Sequence, residues 1–210
     1  MENTIMLLCD IGNTSYHFLN DRDSYKKDID DFEPSDIRDK IYYICVNENV
    51  SKKLEKLDNW IDVSDFIDKS KYYETMGIDR ICAVEAVNNA VIVDAGSAVT
   101  VDVVKNEEFK GGFIYPGIKA MKQTYANISP ALEYSFNFDL DLDIMPKNSQ
   151  DAISYGFLKT LYSEVISFKL PILLTGGDAQ EFKKIFKKAE LDENLIFDGM
   201  KYIIEKADIC

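Results

Sequence analysis

The strongest constraint on this fold is a short pattern that occurs twice. The apolar run Ile5-Met6-Leu7-Leu8-Cys9 passes into Asp10-Ile11-Gly12-Asn13-Thr14, and Ala90-Val91-Ile92-Val93 passes into Asp94-Ala95-Gly96-Ser97, followed by Ala98 to Val104. Each copy reads as strand, tight turn, strand, with glycine where a Cβ would obstruct the turn or its approach to a ligand. The two carboxylates could hold a cation, and the turn N–H groups and hydroxyls could face phosphate oxygens. One copy alone is most simply a hairpin turn that happens to carry an acid. Two copies point to a duplicated half-domain with a shared cleft.

The rest of the chain fits an α/β alternation. Tyr16 to Leu19 and Ser24 to Lys27 flank Asn20-Asp21-Arg22-Asp23 as a second hairpin. Pro34 to Asp39 reads as a short helix, Ile41 to Val46 as a buried strand, Glu48 to Leu57 as an amphipathic helix and Ile61 to Val63 as a short strand. Apolar Ile81, Ala83, Val84 and Val87 form a helical stripe ending at Asn88-Asn89. After the second Asp-Gly hairpin come a strand from Glu108 to Tyr115, a Pro116-Gly117 turn and a helix from Ile118 to Ile128. Ser129 to Lys147 lacks periodicity and reads as a long loop, a class of segment that tends to be functional. A long helix from Ser149 to Phe168, a strand from Pro171 to Leu174, a helix from Ala179 to Lys188 and a last helix from about Gly199 complete the reading.

Composition narrows the partners. With 24 basic against 37 acidic residues the net charge is −13, which disfavours a nucleic-acid surface, since phosphate backbones are met by basic patches. Cys9, Cys45, Cys82 and Cys210 have no CxxC spacing, and three lie in apolar segments, so free thiols are expected. A single histidine, His17, makes a zinc site improbable. No apolar run reaches the roughly 18 residues of a membrane span, and Met1-Glu2-Asn3-Thr4 lacks a basic leader. A soluble, cytoplasmic protein is the expectation.

A third motif follows in order: the strand ending at Leu174 runs into Thr175-Gly176-Gly177-Asp178 and then a helix, where backbone N–H groups can approach an anion at a helix N-terminus. The succession of Asp10-Ile11-Gly12-Asn13-Thr14, Asp94-Ala95-Gly96-Ser97 and Leu174-Thr175-Gly176-Gly177-Asp178 resembles the phosphate-1, phosphate-2 and adenosine signature of the superfamily of acetate and sugar kinases, heat-shock chaperones and actin. Gly77-Ile78-Asp79-Arg80 before the second hairpin, and Gly111-Gly112-Phe113-Ile114-Tyr115-Pro116-Gly117 after it, narrow the resemblance to the type III pantothenate kinases, over almost the whole chain.

That resemblance implies a duplicated ribonuclease H-like, actin-like ATPase fold of two lobes, each a mixed sheet flanked by helices. The lobes are expected at residues 1–76 and 77–210, with the active site in the cleft between them. It implies phosphorylation of pantothenate to 4'-phosphopantothenate by ATP with Mg²⁺, the first step of coenzyme A synthesis, assisted by a monovalent cation, potassium or ammonium. Asp79 matches the general base. Gly77, Ile78 and Arg80 match the pantothenate pocket, together with Ser149 and one of Tyr72 and Tyr73, with Tyr72 taken as the first choice. Asp10, Ile11, Gly12, Asn13, Thr14, Ser15, Tyr16 and His17 match the first ATP loop, in which Asp10 helps to place Mg²⁺; Ser97, Gly176 and Gly177 complete the ATP contacts, and Asp94 matches the monovalent-cation ligand. The family implies a homodimer, for which the helices at 118–128 and 149–168 are interface candidates.

Elementary chemistry agrees with these roles. Phosphoryl transfer needs positioning and charge neutralisation more than covalent help, a carboxylate base must reach the attacking hydroxyl, and arginine grips carboxylates such as that of pantothenate with a planar fork. The plainer readings stay open at this point: Asp79-Arg80 as an ordinary first helical turn, Asn148-Ser149 as a helix cap, Gly111-Gly112 as a bulge and His17 as a structural residue. Ser97 and Ser149 stand where the family has threonine, and the segment before Gly77 is short and lacks the family's proline. The alternatives are another small-molecule kinase of the superfamily and a nucleotide-binding regulator without turnover.

Overall fold

Strand β1 (Leu7–Ile11) alternates its side chains between two apolar layers, as a strand covered on both faces must. The computed structural model in which this is seen describes residues 6–21 and 23–209; Met1 to Ile5, Arg22 and Cys210 lie outside the described residues, and with them the expected leaderless start, the strand onset at Ile5, one turn position and one cysteine. Around β1 are arranged β2 (Ser15–Leu19), β3 (Ser24–Asp28), β4 (Ile41–Cys45) and β5 (Trp60–Asp62) in the order β3-β2-β1-β4-β5. The hairpin partners β2 and β3 run antiparallel, and β4 and β5 run parallel to their neighbours. One face packs Leu8, Tyr42 and Ile44 with Cys82 of α2 (Ile78–Glu85) and Phe197, Met200, Ile203 and Ile204 of α6 (Leu195–Lys206). The other face packs Cys9, Ile11, Tyr16 and Phe18 with Trp60 and with Val50 and Leu54 of α1 (Glu48–Leu54).

A second sheet repeats the plan. It is built from β6 (Asn89–Ala95), β7 (Ala98–Lys105), β8 (Glu108–Pro116), β9 (Ile172–Thr175) and the two-residue β10 (Glu190–Leu191), in the order β10-β9-β6-β7-β8. Again three strands form an antiparallel meander and two are added in parallel. The odd-numbered residues Val91, Val93, Ala95, Val99, Val101 and Val103 form one face and bury against α4 (Ser149–Ser167) and α5 (Ala179–Ile185). Helix α3 (Ile118–Ile128) buries none of its residues. Two mixed five-stranded sheets of one topology, each flanked by helices, are the duplicated actin-like ATPase architecture that the repeated turn foreshadows.

The compact units are residues Met1–Ala86 with Leu195–Cys210, and Val87–Asn194. The expected division at 76/77 therefore differs from the observed grouping in two respects. Helix α2 packs with the first sheet, and so does α6, which begins at Leu195 rather than near Gly199. The reason is Gly199 itself: a Cβ there would land on the carbonyl of Cys82, so the glycine is a helix-crossing point and not a helix start. The 129–147 segment is irregular apart from a short 3-10 turn at Pro130–Leu132.

Candidate active site

In the second unit, two of the predicted motifs meet. Asp94 and Thr175 are cross-strand partners on the parallel pair β6/β9, so the Asp94–Ser97 turn and the Gly176-Gly177 loop emerge side by side. The Asp178 N–H donates to the carbonyl of Ala95 at 2.8 Å, which latches the loop to the turn. Gly176 has φ +88°, and a Cβ there would strike the Asp94 carboxylate and the Ala95 carbonyl, so both its backbone and its surroundings demand glycine. Gly117 supports the turn from beneath. Its N–H donates to the Ser97 carbonyl at 3.1 Å, and any side chain there would displace Gly96 and Ser97. Ser97 itself is exposed at the turn, as a ligand-facing hydroxyl must be.

Directly opposite Asp94 on the antiparallel partner β7 stands Thr100. Opposed residues of an antiparallel pair share a face with Cβ atoms about 5 Å apart. The Thr100 hydroxyl is buried and has no hydrogen-bond partner among the described residues. A buried hydroxyl left without a partner next to a carboxylate suits an oxygen-coordinated cation. Motif reading alone does not reach Thr100, although counting the period of two back across the Gly96 turn finds it.

In the first unit, Asp10 occupies the place in β1 that Asp94 has in β6, next to last before the turn. The Gly12 N–H closes the turn onto the Ser15 carbonyl at 3.0 Å, and Asn13 and Thr14 are exposed at its tip. The eight residues expected to line ATP divide by the pleat. Ile11 and Tyr16 turn into the core, where the Tyr16 ring packs edge-on to Phe32 at 4.8 Å between centroids, so their side chains serve packing. His17 lies under the hairpin, its Nε2 2.7 Å from Ser24 Oγ and its ring edge-on to Phe197 at 4.8 Å. Burial, aided by the cross-strand Lys26, lowers its pKa to about 4.

Helix α2 begins with Gly77 as its cap and holds Asp79 in its first turn. Asp79 therefore sits within the helix start rather than ahead of it, and its Oδ1 accepts the Arg80 N–H at 2.8 Å. Arg80 is only 6% exposed; its Nη1 donates to the Tyr73 hydroxyl, and its guanidinium carbon lies 5.7 Å from the Tyr73 ring centroid. Tyr72 turns the other way and donates to Glu85 Oε1 at 2.5 Å. Tyr73 thus lies beside Arg80, while Tyr72, the expected pocket residue, is bonded to Glu85. The thiol of Cys82, one turn on, is held well above its usual range, by burial first and then by the charges of Asp10 and Asp79.

Ser149 is exposed at the first position of α4, while Asn148 makes the cap by accepting the Asp151 N–H at 2.9 Å. A cavity of about 650 Å³ lies elsewhere in the second unit, edged by Asp139, Asp141, Asp143, Lys184, Lys187 and Lys188. It borders Ile172, at the opposite end of β9 from Gly176, and none of the motif residues line it.

Comparison with known proteins closes the identification. The family model of the type III pantothenate kinases matches residues 58–168. A type III pantothenate kinase of Sulfurimonas denitrificans is 60% identical over 205 residues, covering 98% of this chain and 100% of the relative. Another, from Campylobacter jejuni, is 40% identical over 203 residues, covering 96% and 97%. A Campylobacter jejuni crystal structure described as a Baf family transcriptional activator superposes with TM-score 0.87 at 38% identity, over 98% of this chain and 100% of that one. Component A of the (R)-2-hydroxyglutaryl-CoA dehydratase of Acidaminococcus fermentans shares the fold alone, with TM-score 0.51 at 13% identity over 97% and 99% of the two chains. The chain belongs to the type III pantothenate kinase family.

Proposed function

We propose that this chain transfers the γ-phosphate of ATP to the hydroxyl of pantothenate, opening coenzyme A biosynthesis, with Asp79 as the general base. The observation that carries the assignment of the base is the start of α2, where one carboxylate oxygen of Asp79 is tied to the helix backbone and a buried arginine follows directly. Asp79 takes the proton of the attacking hydroxyl as the new oxygen–phosphorus bond forms and the bond to ADP breaks. Arg80, steadied by Tyr73, receives the carboxylate of pantothenate. The first turn, from Asp10, and the paired turn and Gly176 loop of the second unit present backbone N–H groups to the ATP phosphates. Asp10 fits Mg²⁺, which takes one or two carboxylates alongside phosphates and waters and neutralises phosphate charge when bound. Asp94 with the Thr100 hydroxyl fits the monovalent cation. Ser149 supplies a hydroxyl to the substrate. The reaction consumes ATP and belongs in the cytoplasm.

A homodimer is part of the same proposal. Ile114 on the edge strand β8, Ile128 at the end of α3, and Ile144 and Met145 in the following segment are all at least 60% exposed, and α3, which packs Ile118 and Met121 on the core, has no fully buried residue. We take these exposed apolar side chains as the surface that a second copy covers.

The test is a coupled assay with ATP, Mg²⁺ and pantothenate, with and without potassium or ammonium. Turnover that depends on pantothenate is the expected result, raised by one of the two cations. ATP binding with no turnover on pantothenate under any of these conditions would overturn the proposal in favour of a regulator. Turnover only on a sugar or acetate would assign a different kinase.

A further inference from the structure

The glycine at position 77 has no conformational reason to be there. Its backbone, at φ −60° and ψ 141°, is open to any residue. Nor does packing against the rest of the fold require it. Among the described residues a Cβ placed at 77 meets only Asp79 within 4 Å, whose Oδ1 would lie 2.5 Å away and whose Cγ 3.6 Å away. The contrast with Gly176, Gly117 and Gly199 is sharp, because each of those is hemmed in by backbone. At 77 the only obstacle is the carboxylate assigned as the base.

We propose that Gly77 is a positioning residue, whose missing side chain reserves the space in which the Asp79 carboxylate is held. This rests on the reading of Asp79 as the base. The carboxylate folds back over Cα of Gly77 so that Oδ1 takes the Arg80 N–H at 2.8 Å, which leaves Oδ2 for the substrate hydroxyl. Any L side chain at 77 pushes that oxygen off its anchor, and since the obstacle is the end of a rotatable side chain, the fold yields there and nowhere else. Gly77→Ala therefore separates folding from catalysis. Backbone, helix start and core are untouched, while the base is swung out of line. A displacement of about 1 Å at a reacting group is enough to cost up to about 100-fold in rate.

The experiment compares wild type, Gly77→Ala, Gly77→Ser and Asp79→Asn in the full chain by steady-state kinetics, nucleotide binding and thermal melting. Both Gly77 variants are expected to melt with the wild type and to bind ATP equally, with kcat reduced by about ten- to 100-fold and the KM for pantothenate little changed. A pure pocket role would instead raise KM at constant kcat, and a backbone role would lower the melting temperature; either result, or a wild-type kcat in Gly77→Ala beside an inert Asp79→Asn, overturns the inference. An Asp79→Asn variant with full activity would instead remove the base assignment itself, so the two failures are distinguishable.

Discussion

His17 is the only histidine of the chain, so its titration can be followed without overlap. Burial and Lys26 hold the folded-state pKa at about 4, against 6.5 for a free imidazole. With the folded value depressed, the unfolded chain binds a proton first as pH falls. The stability from a neutral His17 is complete above about pH 6.5 and is lost progressively as the pH falls toward 4. Melting temperatures measured between about pH 7 and 5 should fall more steeply for wild type than for His17→Gln, and the imidazole resonance should titrate near 4. A midpoint close to 6.5 would refute this account. The same residue shows a limit of motif reading. Asp10 to His17 is continuous in sequence, yet the pleat sends Ile11 and Tyr16 inward, so a motif drawn as a string overstates which side chains face a ligand. The partners of Tyr72 and Tyr73 are equally hidden: they depend on which way each ring leaves a short 3-10 turn ending at Lys71, and no periodicity encodes that.

At the scale of elements, two helical glycines make opposite predictions for one substitution. Gly199 in α6 faces the Cys82 carbonyl of α2 across a backbone-to-backbone crossing, so Gly199→Ala forces the helices apart at a site with no side chain free to move. The expected loss is about 3 kcal/mol, at the upper end for overpacking. Gly156 in α4 is exposed, with nothing among the described residues within 4 Å of the space a Cβ would take, and Gly156→Ala should gain about 1 kcal/mol from helix propensity alone. Denaturant midpoints at constant m-value check both signs. The strands and long helices are legible in the sequence because their apolar periodicity is local. The extent of α6 is not, because Gly199 reads as a breaker until its neighbour is known. The two-residue β10 escapes notice because Glu190-Leu191 is too short to carry a period and exists only as an edge addition beside β9.

At the scale of the molecule, the duplicated turn predicts a duplicated sheet, and two five-stranded sheets of one topology are what the chain forms. What the linear order conceals is membership: a helix that begins at Leu195, far downstream of β5, completes the first unit, and only long-range packing says so. The proposed dimer belongs to this scale too. Ile128→Asp, placing a charge at an exposed apolar position of the proposed interface, should convert a dimer into a monomer by light scattering while far-ultraviolet dichroism stays unchanged. A wild-type chain that is monomeric at micromolar concentration would refute the interface.

The late arrival of α6 has a consequence for how the chain is made. On a ribosome the first sheet emerges early, but one of its apolar layers lacks Phe197, Met200, Ile203 and Ile204 until the helix that carries them has been synthesised. The uninterrupted Val87–Asn194 unit can close before that. Between the synthesis of β5 and that of α6 the first sheet thus waits with one apolar layer incomplete. The Tyr42 hydroxyl donates to the Ile209 carbonyl at 2.5 Å, a contact that likewise waits for residues made after α6.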